Sequence, residues 1–368
     1  MRSAEALAWV LSVCAPTLRL SQAKTLSVLV SAALTIHRVS VSQIGRLIRG
    51  AATCKARIKQ AERFIANQRI EVSDGMRGVV ERLLRKWGKK KKLLVAFDWT
   101  QIRDFHTLAA CAVIQGRAVP LLWASFQEWE FHKSQNNIEE GLLRALRTMI
   151  PASVNVVLLA DRGFGRTELA RTCQEIHLSY VIRIKSDVCI RGRQFTGKLL
   201  DFPIRKGDAH LLTGVDYRKT DPVRQNLVVA WKKNLPPRHD EPWFLMTDLK
   251  RDPWKLTELY GRRMTIEECF RDQKNRRNGF ALRQIQLTKP DRVDRLLLIL
   301  VLAYLLLIGL GLIARQRYRP SAWCNTNNPR QCSAFTIGRH MLEQMNVSPA
   351  QAVAAVLAAL QEQARKWG

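Results

Sequence analysis

The chain has 368 residues, 47% of them hydrophobic, and carries 60 Lys and Arg against 31 Asp and Glu, a formal net charge of +29. This apolar content can build a substantial core, which excludes a basic disordered tail, and the length suggests about two or three domains. A positive field of this size attracts polyanions such as nucleic acid and predicts strongly salt-dependent binding.

Cysteine, histidine and glycine spacing points away from several kinds of site. The 8 cysteines contain no C-x-x-C pair and the 7 histidines show no ligand spacing, so neither a disulfide framework nor a zinc site is indicated. Gly163-Phe164-Gly165 is too short for a nucleotide-binding loop, and ATP or NAD dependence is not indicated. Reduced thiols are expected, which predicts a cytoplasmic protein.

Residues 1–90 are predicted to be helical, and their apolar run at 26–34 is interpreted as part of a helix rather than a signal peptide. Residues 40–48 and the basic stretch after them resemble a helix-turn-helix whose second helix would contact DNA. The basic positions are Lys55, Arg57, Lys59 and Arg63. A solvated amphipathic helix explains the same pattern. The run at 86–92 is interpreted as a basic linker along the DNA backbone or a solubilising segment.

Two apolar strands in the middle of the chain are predicted to end in aspartate. Residues 93–98 close on Asp98, and residues 154–161 close on Asp161 and a glycine turn. The other elements predicted here are strands at 107–114, 118–126 and 180–184 and helices at 137–149 and 166–177. Because an aspartate at a strand end is often only a turn former or helix N-cap, that alternative stays open for each.

A segment near residue 260 carries four polar side chains at spacings typical of one helix face. They are Tyr260, Arg263, Glu267 and Lys274. On a continuous helix they would lie within about 60° of one another, beside a stripe of apolar residues. An exposed helix with an Arg263–Glu267 ion pair explains the segment when it is taken alone. With the two aspartates, however, Glu267 completes a set of three hard oxygen donors that suits Mg²⁺ or Mn²⁺.

These motifs resemble those of bacterial insertion-sequence transposases of the DDE type, specifically insertion-sequence family four. The pattern Y-x2-R-x3-E-x6-K of that family is matched without a gap by Tyr260, Arg263, Glu267 and Lys274, and the contexts of both aspartates are similar to the first two acidic motifs. The resemblance extends over most of the chain. It implies an α/β fold with a ribonuclease-H-like catalytic core and a β-rich insertion, flanked by helical N- and C-terminal regions.

The resemblance also implies a division into domains. Residues 1–90 would form a helical domain that recognises the DNA ends. Residues 91–290 would form the catalytic domain, with the β-rich insertion at about 186–250. Residues 291–368 would form a helical C-terminal region with a role in dimerisation.

The activity that the resemblance implies is cut-and-paste transposition through a hairpin intermediate. Asp98, Asp161 and Glu267 would be the catalytic residues and would hold Mg²⁺, for which Mn²⁺ would substitute. Tyr260, Arg263 and Lys274 would bind the DNA end. The partners would be double-stranded DNA, as terminal inverted repeats and target, and a second copy of the chain in a homodimer, near the nucleoid of a bacterial cytoplasm.

Trp243 is similar in position to the insertion-domain tryptophan that members of that family wedge into DNA. Stacking on an unpaired base is the physical basis of such a role. A buried aromatic side chain on a strand is the alternative, and the sequence leaves both open. Trp231 and Trp254 are weaker candidates.

The run at 296–314 contains 19 apolar residues without a charge, which satisfies the length criterion for a membrane span. Positive residues flank it on both sides and give no orientation signal. Because Gly309, Gly311 and Tyr304 within it are compatible with close packing in a protein interior, a core helix with no membrane contact is predicted. Three other functions fit parts of the sequence. They are a structure-directed nuclease, a DNA-binding regulator derived from a transposase, and a membrane-anchored basic protein.

Overall fold

A computed structural model describes residues 1, 3–85, 87–88, 91–131, 134–233, 240–324, 328 and 332–366. Part of the predicted basic linker at 86–92 therefore lies outside the described residues. The described chain is a mixed α/β structure in which a single large sheet is flanked by helices at both ends of the sequence.

The N-terminal region is helical, as predicted. Its helices are α1 (Ser3–Cys14), α2 (Leu20–Ala33), α3 (Val41–Leu47), α4 (Cys54–Ala66) and α5 (Val72–Leu84). The Ser40 hydroxyl caps α3 by accepting from the Gln43 amide at 3.1 Å, and the Thr53 hydroxyl caps α4 in the same way. The two helices cross closely at Gly45, where an added Cβ would lie 2.5 Å from the Ile58 Cα, so only glycine permits this approach.

The middle of the chain follows the predicted order of strands and helices. It contains β1 (Lys92–Ile102), β2 (Phe105–Ile114), β3 (Arg117–Gln127), α6 (Glu128–Phe131), α7 (Gln135–Met149), β4 (Asn155–Ala160), α8 (Thr167–Glu175) and β5 (Ser179–Arg183). The antiparallel meander is confirmed, with β1 paired to β2 and β2 to β3. One boundary was wrong: β1 continues past Asp98, because the hairpin pairing with β2 extends to Ile102 opposite Phe105.

The segment after β5 extends the same sheet. Its strands are β6 (Cys189–Arg191), β7 (Thr196–Lys198), β8 (Ala209–Tyr217), β9 (Val223–Ala230) and β10 (Trp243–Thr247). The described sheet has ten strands in the order β3-β2-β1-β4-β5-β10-β9-β8-β6-β7, and β10 joins the two halves by pairing antiparallel with β5. The strands expected in the insertion at 186–250 are therefore continuous with the central sheet, while the ribonuclease-H-like assignment remains a prediction.

The rest of the described chain is helical. It comprises α9 (Pro253–Gly261), a 3₁₀ turn (Arg262–Met264), α10 (Thr265–Lys274), α11 (Pro290–Arg317), α12 (Ala334–His340) and α13 (Pro349–Lys366). Of the described helices, α11 is the one that is long and apolar enough to cross a membrane, yet 94% of its most apolar 18-residue segment is buried inside the fold. It packs against β3, α2, α12 and α13, so the predicted core position of this helix is confirmed.

Candidate active site

Parallel strands β1 and β4 bring the two predicted aspartates to one place. The last register pair between these strands is Phe97 opposite Ala160, and Asp98 and Asp161 directly follow these two residues in the chain. The Asp161 carboxylate accepts from the Gly163 amide at 2.8 Å and so caps the short 3₁₀ turn that follows β4. Asp161 therefore caps a turn, as one of the two alternatives predicted, and it also lies next to Asp98.

The predicted helix that carries the four-residue pattern is interrupted. Tyr260 lies in α9, Arg263 in the 3₁₀ turn, and Glu267 and Lys274 in α10. The expectation of one continuous stripe was therefore wrong, because the 3₁₀ turn changes the rotation per residue between Tyr260 and Glu267. The adjacent apolar stripe is confirmed, since Leu259, Ile266 and Phe270 are all buried.

Arg263 joins the strand aspartate to the helix glutamate. Its Nη1 donates to Asp98 Oδ2 at 2.9 Å, and its Nη2 donates to Glu267 Oε1 at 2.7 Å. The side chains of Arg263 and Asp98 are only 10% and 17% exposed, whereas that of Glu267 is 43% exposed. The predicted Arg263–Glu267 ion pair is confirmed, but it is one half of a three-residue bridge that sequence spacing did not indicate.

Burial perturbs the protonation of the site. It raises the pKa of Asp98 from 3.8 to about 6, against the effect of Arg263, and the nearby negative charges of Asp161 and Glu267 add to the increase. Burial also lowers the pKa of Lys274 to about 8, with Arg283 contributing in the same direction. A half-buried carboxylate and a half-buried amine with shifted pKa values in one cleft are typical of a functional site.

A cavity of about 520 Å³ opens beside these groups. It is lined by Asp98, Trp99, Thr100, Glu267, Phe270, Arg271, Lys274, Asn275 and Arg283. The cations Arg271 and Arg283 were not among the predicted site residues. The basic and amide-rich stretch after Lys274 is the sequence signal that could have pointed to this region, although its spacing follows no helix period.

The carboxylates have the chemistry of a divalent cation site. Asp98, Asp161 and Glu267 offer oxygen donors of the kind that Mg²⁺ and Mn²⁺ prefer. Within the described ranges no three acidic, His or Cys side chains stand together as a preformed metal cluster. The guanidinium of Arg263 instead lies between Asp98 and Glu267 and supplies the positive charge there. The residue types therefore fit such a cation.

Tyr260 and Trp243 form a separate aromatic pair near Arg263. Tyr260 is buried, and its ring meets the edge of Trp243 at a centroid distance of 5.3 Å. Trp243 is half-buried at the start of β10, with Lys232 Nζ 4.5 Å and the Arg183 guanidinium 5.6 Å from its ring centroid. The Trp243 ring thus packs on Tyr260 and has two cations beside it, and the choice between the two alternatives stays a prediction.

The predicted helix-turn-helix corresponds to α3 and α4. Lys55, Lys59 and Arg63 are exposed and lie four residues apart along α4, so they share one face. Arg57 differs, because its guanidinium donates to the Ile48 carbonyl at 2.6 Å and closes the turn between the helices.

The comparison with protein families identifies the class of protein. The model of the transposase DDE domain matches residues 87–306, which contain both aspartates and the whole of the four-residue pattern. The chain therefore belongs to the DDE transposase family. No curated protein matches the chain.

Proposed function

We propose that this DDE transposase is a member of insertion-sequence family four that moves its element by cut-and-paste transposition through a hairpin intermediate. The observation that carries the proposal is the meeting of Asp98, Asp161 and Glu267. The first two directly follow the last register pair of β1 and β4, and Arg263 hydrogen-bonds both Asp98 and Glu267. The same active site would cleave the DNA end and transfer it to the target.

Each site residue has a role that follows from its chemistry. Asp98, Asp161 and Glu267 would hold divalent metal ions, which when bound activate the attacking oxygen and stabilise the leaving oxygen. Arg263 presents a planar pair of donors that matches a phosphate as well as a carboxylate. Lys274 faces the same cavity and supplies a compact charge for the DNA backbone.

Tyr260 would act mainly as a support. Its buried ring packs on Trp243, and its phenol interacts with Arg263. Trp243 would stack on a base displaced during hairpin formation, and the Lys232 and Arg183 cations beside its ring would contact the displaced strand. This arrangement would couple the base-stacking surface to the Arg263 bridge through one side chain.

The N-terminal helices would recognise the terminal inverted repeats. The exposed Lys55, Lys59 and Arg63 face of α4 has the charge and spacing to contact DNA, and α3 would brace it. Two element ends must be held together before strand transfer, so we propose that the protein works as a homodimer. Its setting would be the cytoplasm, in contact with chromosomal DNA.

The proposal is tested by incubating the protein with DNA that carries its element ends, in Mg²⁺ or Mn²⁺, and separating the products on a denaturing gel. Wild type should give hairpins and joined products, and Glu267→Gln should give neither while still binding the ends. Glu268→Gln is the matched control. Glu268 is the next residue on α10 but pairs with Arg117 and Arg271 instead of Arg263, so its variant should remain active.

Three outcomes would contradict parts of the proposal. Cleavage without joined products would favour a nuclease. Binding without cleavage by wild type would favour a DNA-binding regulator. Cleavage that persists in Glu267→Gln would remove Glu267 from the catalytic set.

A further inference from the structure

A buried ion pair lies behind the proposed active site, between Glu139 on α7 and Arg166 just before α8. The Glu139 side chain is fully buried, and its carboxylate forms a salt bridge with Arg166, which is also buried. Glu139 Oε1 accepts two more hydrogen bonds, from Trp99 Nε1 at 2.8 Å and from Gln135 Nε2 at 3.0 Å. Burying such a pair costs desolvation, and a well-packed apolar replacement is often equally stable, so stability alone is a weak reason for it.

One arm of this network reaches Asp98. Trp99 is the residue after Asp98, and its backbone amide donates to Asp98 Oδ1 at 2.9 Å. The same residue donates its indole N–H to Glu139. Trp99 therefore connects the Asp98 carboxylate to the buried Glu139 through one side chain and its own peptide group. Its ring also packs edge-on against Phe126.

The other arm reaches the turn that carries Asp161. Arg166 follows this turn by two residues, and its Nη2 donates to the Asn136 carbonyl at 3.2 Å and to Glu140 Oε1 at 3.3 Å. Its own amide donates to the Phe164 carbonyl at 2.8 Å, and the Phe164 amide donates to the Asp161 carbonyl at 3.1 Å. The Phe164 ring packs on Phe97, the residue before Asp98, with centroids 5.1 Å apart.

We propose that Glu139 is a positioning residue that holds Asp98 and Asp161 at a fixed separation. It is the point at which the segment after Asp98 and the segment after Asp161 are both bound to α7. This inference rests on the proposed function, because it assumes that both aspartates act in DNA cleavage. Groups that orient catalytic ligands from behind typically affect the rate by about tenfold to a hundredfold when they are removed.

The test compares Glu139→Gln with Glu140→Gln in the full-length protein. Glu139→Gln keeps the shape of the side chain but removes the charge that pairs with Arg166. Glu140→Gln removes the charge of the next residue, which hydrogen-bonds Arg166, whereas the Trp99 indole bonds Glu139. Under single-turnover conditions on end DNA, Glu139→Gln should cut at least about tenfold more slowly, with DNA affinity within about twofold of wild type. Glu140→Gln should stay near wild type.

Amide hydrogen exchange without metal or DNA provides a readout that does not depend on activity. In Glu139→Gln, exchange should rise at residues 97–100 and 162–166 while the rest of the sheet keeps its protection. Trp99→Phe is a second variant, which removes the indole bond and leaves Arg166 paired with Glu139. It should accelerate exchange at 97–100 only.

The results separate this inference from the proposed function. The positioning role alone would be overturned if Asp98→Asn were inactive while folded Glu139→Gln and Trp99→Phe proteins kept full cleavage activity. A cleavage-competent Asp98→Asn protein would overturn the proposed function itself. If Glu139→Gln lost DNA binding and protection throughout the sheet to the same extent as cleavage, Glu139 would be a structural residue and the inference would also fail.

Discussion

Replacing Arg263 by glutamine should change the pH at which the enzyme becomes active. In the free protein the Arg263 guanidinium donates to Asp98 at 2.9 Å, and both side chains are largely buried. The pKa of Asp98 is already about 6 because burial outweighs this cation. Arg263→Gln removes the favourable charge and leaves the burial and the neighbouring carboxylates in place, so the pKa of Asp98 must rise further.

The size of the change follows from the contact distance. An arginine within hydrogen-bond range typically lowers an aspartate pKa by about one to three units, so its loss should raise the pKa of Asp98 to about 7–9. At pH 7 a pKa of about 6 leaves about nine-tenths of Asp98 ionised, whereas a pKa of about 8 leaves about one-tenth. Since only the ionised carboxylate can hold a metal cation, the initial cleavage rate at pH 7 should fall about tenfold.

The assay is the pH dependence of kcat/KM for end cleavage, which reports the ionisation of the free enzyme. In the Arg263→Gln variant, the acidic limb of the kcat/KM profile should move to higher pH by at least about one unit, and activity should recover as the pH increases. Arg262→Gln is the control, because it removes one positive charge from the same 3₁₀ turn. A loss of activity in Arg263→Gln that is equal at every pH would refute this reasoning and leave only a direct contact with DNA.

Three further predictions concern the loss of DNA binding at high pH, the packing of the core and the aromatic pair of Tyr260 and Trp243. Burial lowers the pKa of Lys274 to about 8, so this side chain loses its charge as the pH rises through that value. Because arginine stays charged, Lys274→Arg should extend tight DNA binding to higher pH, as measured by binding titrations across the pH range. Gly311→Ala should destabilise the fold by about 3 kcal/mol or more in urea denaturation, since the new Cβ would lie 1.8 Å from the Ala334 carbonyl oxygen. Trp243→Ala should form nicked DNA but at least about tenfold fewer hairpins, because the stacking surface is lost.

Controls make each of these results interpretable. Gly141→Ala on α7, where an added Cβ meets no atom within 4 Å, should raise the free energy of unfolding by about 0.5–1 kcal/mol. Equal effects of the two glycine substitutions would contradict the proposed close contact in the core. Binding by Lys274→Arg that weakens at the same pH as wild type would exclude Lys274 as the titrating group. Normal hairpin yield from Trp243→Ala would assign Trp243 to the core.

Local patterns in the sequence were sufficient for most of the elements. The alternation and apolar runs predicted the meander β1–β3, the strand before Asp161 and helix α7 between them. They did so because apolar residues recur with a different period on a buried strand and on a buried helix. The short helix α6 was not predicted. The apolar run inside α11 was also interpreted correctly as a core helix, although composition alone satisfied the membrane criterion. The interruption of the helix at Arg262–Met264 was missed, since a 3₁₀ turn leaves no distinct period in so short a segment.

The sequence by itself determined which chemical groups are available: two aspartates at strand positions, a glutamate in a spaced pattern with Arg263 and Lys274, and a large positive charge. Only the tertiary structure decided how these groups meet. The parallel register of β1 and β4 ends at Phe97 and Ala160, one residue before Asp98 and Asp161. The Arg263 bridge and the Glu139 network join segments far apart in the chain. Such contacts depend on which strands become neighbours and on which side chains become buried, and the spacing of residues along the chain predicts neither.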